Sequence, residues 1–228
     1  QAFVPHTAKD RDLLRTLRDD LLSELDFEAG LFLGYEPRYF EWNFGGRDDL
    51  VEYAGAYLTG TIDRVDVDRH GQAVVIDYKH KSPTGFTREY DVSQPDGSSL
   101  SLPRRVQSLI YGQVVRRRHP DLRVTAAVYL GTRGDHAIAG AVSANALQNV
   151  LGDHVPHRED ACNALTVDDS ASYGVEGERG MDAFLDATEE AIREKVGELL
   201  DGNIEARPKD AEACSYCPVM NCDRRISR

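Results

Sequence analysis

Cysteine, positive charge and long apolar runs are all in short supply in this chain. Four cysteines occur in 228 residues, and three of them crowd at Cys214, Cys217 and Cys222. Such clustering argues against a disulfide framework and for thiolates that serve a metal in a reducing compartment. No apolar stretch approaches the length of a membrane-spanning helix and the mean hydropathy is −0.47, so the chain is expected to be soluble and cytoplasmic. Residues 1–30 lack the uninterrupted apolar core of a signal peptide, and the first residue is Gln rather than Met, which suggests an excised fragment. Lys and Arg number 27 against 39 Asp and Glu, a net charge of −12 that disfavours tight independent binding of nucleic acid. The deficit is uneven. Residues 60–118 carry ten Lys and Arg against seven Asp and Glu, so the acidity lies elsewhere. A partner that delivers an anionic substrate would reconcile the two.

What the chain does have is a pair of β-branched runs, Gly60-Thr61-Ile62-Asp63-Arg64-Val65-Asp66 and Val74-Val75-Ile76-Asp77-Tyr78-Lys79. Between them, Asp68-Arg69-His70-Gly71 has the chemistry of a turn. A three-residue loop centred on His70 pairs Val67 with Ala73, Val65 with Val75 and Asp63 with Asp77; a Gly bulge would slip this register by one. Side chains alternate along a strand, so Lys79 shares a face with Asp77. Facing carboxylates repel unless a cation lies between them, and a neighbouring Lys supplies charge for a third, anionic group. This is the layout of a site that holds a divalent metal against a phosphate. The plainer alternative is a solvated hairpin face, but the apolar run before Asp77 predicts a buried central strand, where carboxylates need partners.

The remaining pattern predicts an α/β domain spanning 1–228, with 41% hydrophobic residues to build its core. Leucines at 13, 14, 17, 21, 22 and 25 predict an amphipathic helix over 10–29, and residues 36–44 an aromatic strand. Residues 82–103, rich in Gly, Pro and Ser, form a long excursion able to lie over the site. A helix is predicted over 104–118, strands over 123–130 and 136–143, and a helix over 180–200. Residues 145–178 read as a partly irregular insertion and 204–228 as a Cys-rich tail. His154, His157 and Cys162 have loose metal-ligand spacing, but their polar, irregular setting favours plain exposure. An Arg run at 116–118 closes a helix, where it complements the dipole.

The order GxIDRxD, then an apolar strand ending in Asp77-Tyr78-Lys79, then Gln107-x3-Tyr111, resembles the PD-(D/E)XK nuclease superfamily. The likeness is to the RecB/AddB-type exonuclease domain, whose upstream strand is similar to Glu36–Gly45. The resemblance implies a restriction-endonuclease-like mixed β-sheet flanked by helices. It further implies that Asp63, Asp77 and the Tyr78 carbonyl ligate Mg²⁺ or Mn²⁺, and that Lys79 orients or helps deprotonate the attacking water. Gln107 and Tyr111, at i and i+4 on one helix face, would touch DNA or support the site, and Arg64 would contact phosphate. DNA, as single-stranded ends, and a helicase or other repair subunit are the implied partners, with no membrane. Nucleases of this branch also carry an acidic residue or His on a helix before the strands, and this chain has no clear match. The Cys214-x2-Cys217-x4-Cys222 run resembles the end of those nucleases that hold a [4Fe–4S] cluster. Their fourth ligand lies upstream; here it is lost, replaced by Cys162, or the run is vestigial. Two other functions are compatible with these residues: an inactive DNA-binding or scaffolding domain of the same fold, and a small metal-stapled interaction module with only surface carboxylates.

Overall fold

The structure, a computed structural model, describes residues 4, 6–81, 85–92, 102–134, 136–154, 162–208, 213–214, 217–219 and 221–226. Helix α1 (Ala8–Glu28) leads into β1 (Tyr35–Phe44), a small hairpin β2 (Val51–Tyr53) and β3 (Ala56–Leu58), and the pair β4 (Gly60–Asp68) and β5 (Gln72–Lys79). A short α2 (Phe86–Glu89), α3 (Gln107–Arg118), β6 (Arg123–Gly131) and β7 (Ala137–Ser143) follow. A 3₁₀ turn, α4 (Leu147–Leu151), β8 (Cys162–Val167) and α5 (Gly180–Leu200) complete the order. Six strands form one mixed sheet in the order β1-β4-β5-β6-β7-β8. Strands β5 and β6 run parallel, as do β7 and β8, while the other neighbours are antiparallel. The β5–β6 connection therefore needs a crossover, and α3 lies within it.

The hairpin at the centre forms for local reasons. Asp68 accepts hydrogen bonds from the backbone N–H groups of His70 (2.8 Å) and Gln72 (2.7 Å), and Gly71 takes φ +79°, a conformation that favours glycine. The resulting register pairs Val67 with Ala73 and Val65 with Val75, as the turn chemistry predicts. Strand β5 is covered on both sides. Val75 joins Val65, Val114, Ala127, Phe184 and Leu185 beneath α3 and α5, while Val74 and Ile76 face Leu31, Phe32, Val128 and Leu151. Each such fully buried aliphatic contributes roughly 1.5–3 kcal/mol. Gly112 lets α3 lie close: a Cβ there would sit 3.3 Å from Leu185 and 3.4 Å from Ala127.

Three elements differ from the sequence expectation. α1 forms, nucleated by a capping box in which Thr7 and Asp10 bond reciprocally, but its leucine stripe is not a core face. Leu21 and Leu25 are 65% and 63% exposed, and the last turns of the helix bond to His136 and Arg64. Within 145–178, the expected irregular insertion, α4 and β8 are regular, and β8 is the sheet's second edge. The excursion at 82–103 contains α2, whose Phe86, like the following Tyr90, is buried against Tyr129; residues 82–84 and 93–101 lie outside the described residues. Among the described residues, no helix is long and apolar enough to cross a membrane.

Candidate active site

The β4–β5 ladder carries its last registered pair at Arg64 and Ile76, so Asp63 and Asp77 are the next residues to face each other. Asp63 uses the end of the ladder: its Oδ2 accepts the Tyr78 N–H at 2.8 Å. Asp77 is 1% exposed, and Lys79, two residues on, places its ammonium against Asp77 Oδ2. That contact is an ion pair without a well-directed hydrogen bond. Burial pushes the Asp77 carboxyl above its ordinary range; the Lys79 charge pulls it back, and Asp63 pushes it up again. Both carboxylates retain acceptor capacity, and two carboxylates beside a backbone carbonyl form an all-oxygen donor set. This fits a hard divalent cation such as Mg²⁺ or Mn²⁺.

Helix α3 delivers the other half of the site. Lys79 Nζ donates to Gln107 Oε1 at 3.1 Å, and Gln107 Nε2 donates to the Tyr111 hydroxyl at 2.7 Å. The i, i+4 spacing thus turns both residues toward the lysine. Tyr129 on β6 anchors the first turn of α3. Its buried hydroxyl, pushed up to about 12 by burial, accepts the Ser108 N–H at 2.9 Å, and Lys79 Nζ lies 5.9 Å over its ring. No sequence signal marks Tyr129 apart from any other core aromatic. Phe44, Leu58, Thr59, Arg105, Gln107 and Tyr111 bound a cleft of about 370 Å³ on this side. The Phe44 and Tyr111 rings meet edge to face at 5.8 Å. The glycine that opens β4 makes room for the Phe44 ring: a Cβ on Gly60 would lie 2.7 Å from it, so the ring would have to shift.

Arg64 is placed differently from expectation. As the neighbour of Asp63 it points to the opposite face, where it pairs with Asp66 through two bonds of 2.6 Å and with Glu28 at 2.6 Å. The Tyr78 hydroxyl accepts from Arg64 at 2.8 Å and donates to Glu28 at 2.7 Å. With 14% of its side chain exposed, Arg64 is a half-buried tie between α1 and the sheet, and its charge is paired there. On α1, Glu28 is held by Arg64, and Glu24 lies 2.8 Å from His136 Nδ1. The Arg run is likewise structural, with Arg116 on Asp182 and Asp186, Arg117 on Glu189 and Arg118 on Asp49.

The [4Fe–4S] expectation is not supported. Among the described residues, no three His, Cys, Asp or Glu are placed to hold a metal together. Cys214 is buried and its Sγ accepts the Ile226 N–H at 3.4 Å. The backbone around Cys214, Cys217 and Val219 turns its carbonyls onto the Arg225 guanidinium at 2.8, 3.2 and 2.9 Å. Cys162 sits in the β8 core, His154 packs on Phe27 at 5.4 Å, and His157 lies outside the described residues.

A six-stranded mixed sheet flanked by helices, with an acidic pair and a lysine at the end of its central hairpin, is the architecture of a restriction-endonuclease-like fold. The chain belongs to the PD-(D/E)XK nuclease superfamily, whose family model matches residues 5–222. No curated protein matches it. Members of this superfamily act on nucleic acids and generally use divalent metals such as Mg²⁺.

Proposed function

We propose that this chain is a Mg²⁺- or Mn²⁺-dependent deoxyribonuclease of the RecB/AddB type, acting on single-stranded DNA ends within a helicase–nuclease repair assembly. One observation carries the reading: Asp63, Asp77 and Lys79 converge on one sheet face, with Lys79 held by Gln107. Asp63, Asp77 and the Tyr78 carbonyl would hold the metal, which when bound polarises the phosphoryl group and lowers the pKa of water. Lys79 orients the attacking water and offsets negative charge as it develops on phosphorus. Gln107 fixes the ammonium in direction, and Tyr111 fixes Gln107, so the charge is in place before substrate arrives. A net charge of −12 supports a partner that delivers the DNA.

A second reading, a non-catalytic DNA-binding or scaffolding domain, is favoured by one observation: Glu28 on α1 is spent on Arg64 across the sheet. Degradation of labelled linear single- and double-stranded DNA in Mg²⁺ or Mn²⁺, with Lys79→Ala and EDTA controls, separates the two. Cleavage lost in both controls supports the nuclease. Metal binding and DNA binding without cleavage support the scaffold.

A further inference from the structure

We propose that Lys81 and Arg105 form a phosphate-binding subsite beside the active site, and that the Glu89 carboxylate occupies it as an internal stand-in for the backbone of a nucleic acid strand. The inference rests on the nuclease reading above. Lys81 follows Lys79 by two residues and Arg105 precedes Gln107 by two, so the cations flank the two residues that carry the site. They come from separate segments yet meet on one carboxylate. Arg105 Nε and Nη2 lie 3.0 and 2.5 Å from Glu89 Oε1, and Lys81 Nζ contacts Oε2. A guanidinium that gives two N–H groups to an anionic oxygen can give the same two donors to a phosphate.

Within this trio two cations face one carboxylate, and Arg105 stands at a cleft in an otherwise acidic chain. Lys81 and Arg105 side chains are 45% and 54% exposed, so a strand can reach both. Exposed ion pairs are weak, and a phosphodiester can compete with Glu89 for them. Glu89 can swing out alone, because Phe86 and Tyr90 are buried against Tyr129 and hold α2 in place. The subsite is continuous with the active site through those rings. Lys81 Nζ lies 5.6 Å over Tyr90, Tyr90 stands 4.6 Å from Tyr129, and Lys79 Nζ lies over the far end at 5.9 Å. Arg105 also lines the cleft beside Gln107 and Tyr111.

The test is fluorescence anisotropy of a labelled single-stranded oligodeoxynucleotide in EDTA across a salt series, with wild type, Glu89→Gln, Arg105→Ala and the double variant. Freeing the cations should tighten binding about three- to tenfold and steepen the log–log salt dependence by about 0.7 for one phosphate gained. Arg105→Ala should weaken binding, and the gain from Glu89→Gln should shrink in its background. Unchanged or weaker binding by Glu89→Gln, with a lowered melting temperature, would make Glu89 a structural clasp and overturn the subsite. So would absence of oligonucleotide binding by every variant. Cleavage of the same oligonucleotide by wild type in Mn²⁺ is run alongside. Cleavage with no affinity gain overturns the subsite alone; an affinity gain with no cleavage keeps the subsite and overturns the nuclease.

Discussion

Replacing Gln107 by Ala should lower kcat by about 10- to 150-fold and leave KM for DNA nearly unchanged. Among the described residues, Lys79 Nζ contacts Asp77 on its own strand and donates to Gln107 Oε1 at 3.1 Å on α3. Removing Gln107 leaves the ammonium held by Asp77 alone, so its direction toward the phosphate is no longer fixed. A hydrogen bond to a charged group contributes about 1.5–3 kcal/mol, and each 1.36 kcal/mol of lost transition-state stabilisation is about tenfold in rate. Tyr111→Phe removes only the second link, the 2.7 Å bond from Gln107 Nε2, and leaves the ring against Phe44. A neutral bond of about 0.5–1.5 kcal/mol predicts a smaller loss of about two- to tenfold. Steady-state kinetics on a labelled single strand, with melting temperatures to confirm folding, gives both numbers. A rise in KM with unchanged kcat for Gln107→Ala would mean that Gln107 grips DNA and does not position Lys79.

Three further outcomes follow from the same geometry. Because burial and Asp63 hold the Asp77 carboxyl above its ordinary range, the folded protein binds that proton more tightly than the unfolded chain. Stability from Asp77 is therefore full at low pH and falls as pH rises through the raised value. In EDTA, Asp77→Asn should melt higher than wild type at neutral pH by about 1 kcal/mol and show a flatter pH profile, whereas Mg²⁺ should stabilise only the wild type; thermal melts against pH check this, and equal responses to Mg²⁺ would refute it. Arg64→Ala strands the Asp66 carboxylate, only 1% exposed, and should cost about 3–5 kcal/mol in a urea melt; weakened DNA binding with normal stability would instead return Arg64 to the substrate. The triple variant Cys214→Ser, Cys217→Ser, Cys222→Ser should keep its melting temperature within a few degrees and its metal-dependent activity, and metal analysis of anaerobically purified wild type should find no stoichiometric iron.

The juxtaposition of Asp63, Asp77, Lys79, Gln107 and Tyr111 was legible in the sequence because its logic is local. Period-two alternation puts Asp77 and Lys79 on one face, the Asp68–Gly71 turn sets the register that brings Asp63 opposite, and i, i+4 spacing aligns Gln107 with Tyr111. The central strand declared itself by an unbroken apolar run, which only a strand covered on both faces tolerates. Tertiary structure decided what depends on partners far away in the chain. Arg64 sits beside a site aspartate in sequence, yet its charge is consumed by Glu28, 36 residues upstream on the other face. The leucines of α1 have helical spacing whether or not anything covers them, so the periodicity specified a helix and left its exposure open. Strand β8 pairs in parallel with β7 and gains its place from that edge rather than from its own residues. The three C-terminal cysteines have ligand-like spacing, while among the described residues the carbonyls of Cys214 and Cys217 turn onto Arg225. Short-range hydrogen bonds and side-chain alternation are written residue by residue; which faces meet, and which charges neutralise each other, is set only when the whole chain has packed.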